Sequence, residues 1–200
     1  MALLILAACS GTGKSTLTKA LLSSAPNLRL SVSHTTRAPR VAEVDGEHYH
    51  FISKELFLEM IQQNAFVEWA EYAGNFYGTS HAEIQDKTNQ GLDLLFDVEV
   101  KGAGNLKQAY PEAVSCFVLP PSWQTLEERL RNRGTETEES IQKRLSTGKK
   151  ELLLASTFDY MIVNDTVERA VEDLNVVYLS AKLKTSAQHA KLDAILKEIV

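Results

Sequence analysis

The segment Ser10-Gly11-Thr12-Gly13-Lys14-Ser15-Thr16 concentrates the residue types that hold a phosphate. Gly11 and Gly13 permit a tight turn whose backbone N–H groups approach phosphate oxygens, and a helix starting near Lys14 aims its positive end at them. Lys14 supplies a cation for the β- and γ-phosphates, and Ser15 a hydroxyl for Mg²⁺. Ala8 stands where the GxxxxGK(S/T) pattern asks for its first glycine, which does harm only if the backbone there needs a positive φ. The apolar run 3–7 in front and the periodic Leu17, Ala20 and Leu21 behind provide the strand–loop–helix setting that the motif requires. A plain turn is the alternative, and a lysine at its centre argues against it.

A second constellation follows in Ser33-His34-Thr35-Thr36-Arg37-Ala38-Pro39-Arg40. Two guanidinium groups beside a proline-stiffened turn can clamp a phosphate bidentately, a geometry that arginine offers and lysine does not. Taken alone, two loop arginines are ordinary. Beside a phosphate loop, they suggest the second substrate that receives what the first gives up.

These groups need elements to position them. Apolar runs at 3–7, 92–98, 114–119 and 160–163 read as buried strands, and helical patterns alternate with them at 14–23, 102–109, 122–133, 140–156 and 167–179. Strands alternating with helices predict an α/β fold with a parallel sheet covered on both faces, its ligand at the carboxyl ends of the strands. Residues 33–91 break the rhythm. Short alternating runs at 48–52, 66–72 and 75–77, a helix near 54–63, and turns at Asp45-Gly46 and Gly74-Asn75 predict a small mixed insert. The polar stretch 132–139 reads as an exposed excursion between helices. Leu183, Leu192, Ile195 and Leu196 among lysines predict an amphipathic terminal helix, a candidate packing or self-association surface.

With 200 residues, 44% hydrophobic and 24% charged, the chain is long enough for one sizeable core with a small lobe or two. No apolar run reaches membrane-spanning length, and a net charge of −5 argues against a general nucleic-acid-binding surface. Cys9 and Cys116 lack metal-ligand spacing and are expected reduced. Leu6-Ala7-Ala8-Cys9 imitates a lipoprotein cleavage box, but no basic segment precedes it and the apolar stretch is short, so the expected location is cytoplasmic. His48 and His50, two apart around Tyr49, lack further ligands and are expected to be surface strand residues.

The order of motifs is itself informative. Ser33, Thr35-Thr36-Arg37, Arg40, Gly46 and Tyr49-His50-Phe51 are followed by Glu68, by Tyr77-Gly78-Thr79 and by Phe96-Asp97-Val98-Glu99-Val100-Lys101-Gly102. Arg129, Arg133-Gly134-Thr135, Glu138-Glu139, Arg144 and Val163-Asn164-Asp165 complete the series. Nearly end to end, the chain resembles the guanylate kinases. The resemblance implies a P-loop nucleoside monophosphate kinase fold. Its core would comprise residues 1–32, 92–125 and 148–200, with a GMP-binding insert at 33–91 and a lid at 126–147. It implies ATP and GMP as substrates, Mg²⁺ as cofactor, and no nucleic-acid or membrane partner.

By the same resemblance, Arg37, Arg40, Tyr49 and Tyr77 hold the GMP phosphate, a donor set suited to a dianion. Ser33, Glu68, Thr79 and Glu99 surround the guanine, where a carboxylate accepts from N1–H and the 2-amino group. Adenine lacks that amino group and presents a lone pair at N1, so such a site discriminates by about 10⁴. Glu99 departs from the aspartate common at this position and makes a longer reach. Asp97, at the end of a buried run, suits Mg²⁺ through water or an organising hydrogen bond near the phosphates. Arg129, Arg133 and Arg144 match arginines that close over the ATP phosphates, and the first two, four apart, share a helix face. Arg131 receives no role and is expected to pair with Glu127 and Glu128. Cys9 stands where relatives usually carry proline, and its thiol is oxidisable only if exposed. Two other readings are a non-catalytic interaction module of guanylate-kinase type and a kinase of a phosphorylated sugar. The intact Gly13-Lys14-Ser15 argues against the first, and Glu68, Thr79 and Glu99 against the second.

Overall fold

The computed structural model describes residues 1–72, 74–132 and 137–199. Leu3–Ala8 (β1) is buried throughout, as a strand covered on both faces must be. It runs through the phosphate loop into Lys14–Ser24 (α1), then Leu28–Leu30 (β2), His34–Thr35 (β3) and His50–Phe51 (β4). Lys54–Gln62 (α2), Phe66–Tyr72 (β5), Asn75–Ser80 (β6) and His81–Asn89 (α3) lead to Asp93–Asp97 (β7) and Val100–Ala109 (α4). Val114–Leu119 (β8), Trp123–Arg131 (α5), Glu138–Leu153 (α6), Tyr160–Val163 (β9), Val167–Leu183 (α7) and Thr185–Lys197 (α8) complete the described elements.

Five strands form an all-parallel sheet in the order β2-β7-β1-β8-β9. The strand period divides β1 between two cores. Leu4, Leu6 and Ala8 meet Leu17 and Leu21 of α1 and Ala170, Leu174 and Val177 of α7. Leu3, Ile5 and Ala7 face the cluster containing Ala103 and Leu106 of α4, Leu126 and Leu130 of α5, and Ile141 and Leu145 of α6. The doubly covered α/β core is therefore as expected, and β1 at its centre delivers the phosphate loop to the carboxyl end of the sheet.

A second sheet, ordered β4-β3-β6-β5, pairs β3 with β4 in parallel and the other neighbours antiparallel. The runs at 48–52 and 75–77 shift accordingly. His48 lies outside any strand and its Nδ1 accepts from the Val44 amide, while β6 extends to Ser80. Three elements carried no sequence signal. β2 and β3 are three and two residues long, too short for a period to register. α3 buries only Glu83 and Ile84, so its apolar face is almost absent. The helix expected at 122–133 ends at Arg131, and the one expected at 140–156 starts at Glu138, capped by the Thr137 hydroxyl, and closes at Leu153 before a 3₁₀ turn. α7 runs on to Leu183, and α8 buries no residue. No helix among the described residues is long and apolar enough to cross a membrane.

Candidate functional site

At the end of β1 the chain turns through residues 9–13. Gly11 and Gly13 both take positive φ (+93° and +98°), and a Cβ on Gly13 would stand 2.5 Å from Nδ2 of Asn164. Glycine is therefore required there by both backbone and space. Ala8 takes no positive φ and still pairs with Val118 of β8, so the departure from the pattern leaves the loop unstrained. Thr12 is wholly buried. Its hydroxyl donates to the Cys9 carbonyl (2.7 Å), and its own carbonyl accepts from Asn164 Nδ2 (2.7 Å) and Arg129 Nη1 (3.2 Å). Gly13 caps α1 with no side chain, and the first turn carries no acid, leaving the helix N-terminus open to an anion. Ser15 and Thr16 are exposed at that end.

Lys14 Nζ is held 2.6 Å from both Asp97 Oδ1 and the Val98 carbonyl, and the other Asp97 oxygen accepts from Thr18 (3.1 Å). Arg129 also donates to the Asn164 carbonyl (3.2 Å), so it braces the loop from beneath. Arg144 Nη1 lies 3.0 Å from the Ser10 hydroxyl. Arg131, the unassigned arginine, pairs with Glu127 (2.8 Å) and, across to α6, with Glu138 rather than Glu128. Arg133 lies outside the described residues. The Cys9 condition is not met. Its thiol is buried, donates to the Gly148 carbonyl, and burial pushes it up to about 12, which excludes a reactive thiolate near neutral pH.

A cavity of ≈ 550 Å³ opens beside this loop and brings the two constellations together. Lys14, Ser15 and Asp97 line it along with Ser33, Arg37, Arg40, Tyr49, Glu68, Tyr77 and Glu99. Arg37 lies 5.4 Å above the Tyr49 ring and donates from Nη2 to Glu43 (2.9 Å), whose other oxygen accepts from the Arg40 amide (2.7 Å). The Arg37 guanidinium holds the Glu43 carboxyl down to about 2. Burial raises the Tyr49 hydroxyl above its ordinary value, so the phenol is a donor at neutral pH. Deeper in, Glu68 is 8% exposed and accepts from the Thr79 hydroxyl at 2.8 Å. Burial raises its carboxyl, Thr79 draws it back and Glu99 adds to the rise. A Cβ on Gly102 would stand 2.9 Å from Glu68 Oε2, so the first turns of α4 leave space only for that carboxylate.

The roles of three residues in or beside the cavity were not legible. Glu43 sits in an irregular loop with no period to mark it. Gly102 reads as one more helix residue. Glu151 on α6 has a buried Oε2 with no partner among the described residues, and burial beside Glu99 raises its carboxyl while Lys14 and the Ser10 amide pull it down. Among the described residues no group of three or more His, Cys, Asp or Glu is placed to hold a metal ion.

A profile of the guanylate kinases matches residues 1–181. The chain belongs to the guanylate kinase family. It is 47% identical over 184 residues to a guanylate kinase of Neisseria meningitidis serogroup A, covering 92% of this chain and 90% of that one. It is 46% identical over 194 residues to a guanylate kinase of Nitratidesulfovibrio vulgaris, covering 97% and 94%. The crystal structure of guanylate kinase from Anaplasma phagocytophilum superposes with a TM-score of 0.73 at 31% identity over 92% of this chain and 87% of that one. Guanylate kinase membership thus rests on whole-chain likeness in sequence and fold, independently of the cavity described above.

Proposed function

We infer that this protein transfers the γ-phosphoryl group of ATP to GMP, giving ADP and GDP. The observation that carries the reading is one cavity lined by both Lys14 of the phosphate loop and Glu68, the latter held by the buried Thr79 hydroxyl. Residues 33–91 form the acceptor lobe and 126–147 the lid, with residues 1–32, 92–125 and 148–200 as the ATP-binding core. Ser10 to Thr16 cradle the ATP phosphates. Arg37, Arg40, Tyr49 and Tyr77 take the GMP phosphate, while Ser33, Glu68, Thr79 and Glu99 read the base. A buried carboxylate whose only donors belong to Thr79 still lacks partners, and guanine N1–H and the 2-amino group supply two. Adenine would leave Glu68 facing a lone pair.

The acceptor needs no strong base, since a phosphate monoester with second pKa near ~6 is largely dianionic at neutral pH. The chain's task is to bring two polyanions into line and exclude water. Lys14 exchanges its Asp97 and Val98 partners for phosphate oxygens, and Arg144 moves from Ser10 onto the same anion as the lid closes. Arg129 keeps the loop braced through Thr12, with Arg133 assigned to the lid by family pattern alone. The hydroxyl of Ser15 and the carboxylate of Asp97 are hard oxygen donors beside Lys14 and fit Mg²⁺, which would supply charge neutralisation on the transferred group.

Calorimetric titration of GMP and AMP into the protein without ATP tests the acceptor site separately from chemistry. Saturable GMP binding is expected, with AMP weaker by about 100-fold or more. Equal binding of the two would remove Glu68 from the discriminating role.

A further inference from the structure

The chain passes between the two sheets twice, outward through 31–33 and back at Ser80, where β6 turns into α3. Glu83 touches both passages. Its backbone amide donates to the Ser80 hydroxyl (3.2 Å), the N-cap of α3, while its carboxyl Oε1 accepts from the Val32 amide at 3.1 Å. Ser80 and Glu83 have the spacing of a capping box, in which the glutamate ordinarily reaches back to its own N-cap. Here it is directed instead to the outgoing passage, at Val32. Val32 is the residue whose flanking groups belong to different sheets. The Ser31 amide donates to Leu95 of β7, and the Ser33 carbonyl accepts from His50 of β4.

The other carboxyl oxygen lies 3.5 Å from His50 Nε2. The His50 ring in turn lies tilted against that of His34 (ring centroids 4.6 Å apart), which pairs with His50 on one side and Gly78 on the other and packs edge-on against Phe66. One carboxylate that is 8% exposed thus ties the outgoing passage, the returning helix and the small sheet together. Packing alone does not call for it. An apolar side chain would fill the volume without the cost of burying a charge, whereas only an acceptor can fix the direction of the Val32 N–H.

We propose that Glu83 is a positioning residue of the acceptor site, a clasp across both passages that sets where Ser33, Glu68 and Thr79 stand relative to Lys14. It touches no substrate and acts through the angle of the acceptor lobe. The proposal rests on the assignment of that lobe to GMP. Loss of the clasp should weaken GMP use while leaving ATP use alone, and a side chain that keeps the acceptor oxygen should restore it.

The test compares Glu83→Ala, Glu83→Leu and Glu83→Gln by steady-state kinetics, thermal unfolding and hydrogen exchange of the Val32 amide without nucleotide. Glu83→Ala and Glu83→Leu should raise the KM for GMP about tenfold, with the KM for ATP within about twofold, and should accelerate Val32 exchange; Glu83→Gln should stay within about threefold of the parent. Should either truncation fail to fold, His50→Asn, which keeps Glu83 and removes its second partner, is expected to shift the KM for GMP in the same direction by a smaller factor. Lower melting temperatures with unchanged KM for GMP would make Glu83 merely structural and overturn the proposal, as would unchanged Val32 exchange or an equal rise in both KM values. If the parent protein itself neither binds nor phosphorylates GMP, the acceptor assignment fails instead, and Val32 exchange still decides whether the clasp exists.

Discussion

At the scale of single residues, the site is defined by what each atom has for a neighbour. Glu68 draws its donors from Thr79 and has a wall in Gly102. Glu68→Gln replaces an acceptor oxygen with a donor, and we expect kcat/KM for GMP to fall about 10- to 100-fold with ATP affinity within about twofold. An equal collapse of ATP affinity would contradict the partition of the two sites. Gly102→Ala reaches the same carboxylate from the other side. Its Cβ at 2.9 Å must displace Oε2, so GMP affinity should drop in calorimetry while the melting temperature changes little. The phosphate loop, the two arginines and the order of motifs were legible because their residue types are tied to one chemistry at fixed spacing. Glu43, Gly102 and Glu151 were not, because a carboxylate in a loop or a glycine in a helix carries no period, and only the fold shows what each faces.

At the scale of elements, α6 packs along the loop that follows β1. Arg144, Gly148 and Glu151 lie along one face of it at helical spacing, against Ser10, Cys9 and the approach to Lys14. Gly148 is a weak point in a 16-residue helix. A Cβ there would meet Cys9 and Leu126 at 3.7 and 3.8 Å, ordinary contact distances. Gly148→Ala should therefore stabilise the protein by roughly 0.5–1 kcal/mol, read by denaturant unfolding. A loss of stability would mean that the α6 seam is tighter than these contacts indicate. Long apolar or periodic elements of the core announced themselves in sequence. β2, β3 and α3 did not, since their few buried residues gain their meaning from strands far away in the chain.

At the scale of the whole molecule, one buried carboxylate fastens the far end of the sheet. Burial alone would raise Asp93, but donation from the Ala2 amide (2.6 Å), the Tyr178 hydroxyl (2.7 Å) and Asn27, with Lys182 at 3.4 Å, holds it below the usual aspartate value. A carboxyl with a depressed folded pKa contributes stability that is present above its unfolded value of about 3.9 and lost as pH falls through the folded value. Asp93→Asn should accordingly destabilise the protein by about 3 kcal/mol at pH 7, with the gap to the parent narrowing below about pH 4. A gap independent of pH in unfolding curves would contradict the ionised state of this residue. The central claim concerns the two-substrate cavity as a unit, and its most direct test is ADP release from Mg-ATP in the presence of GMP, AMP, CMP, UMP or a phosphorylated sugar. Turnover with GMP exceeding that with every other acceptor by at least about 100-fold is expected. No turnover on any acceptor, or turnover on the phosphorylated sugar alone, would contradict the account.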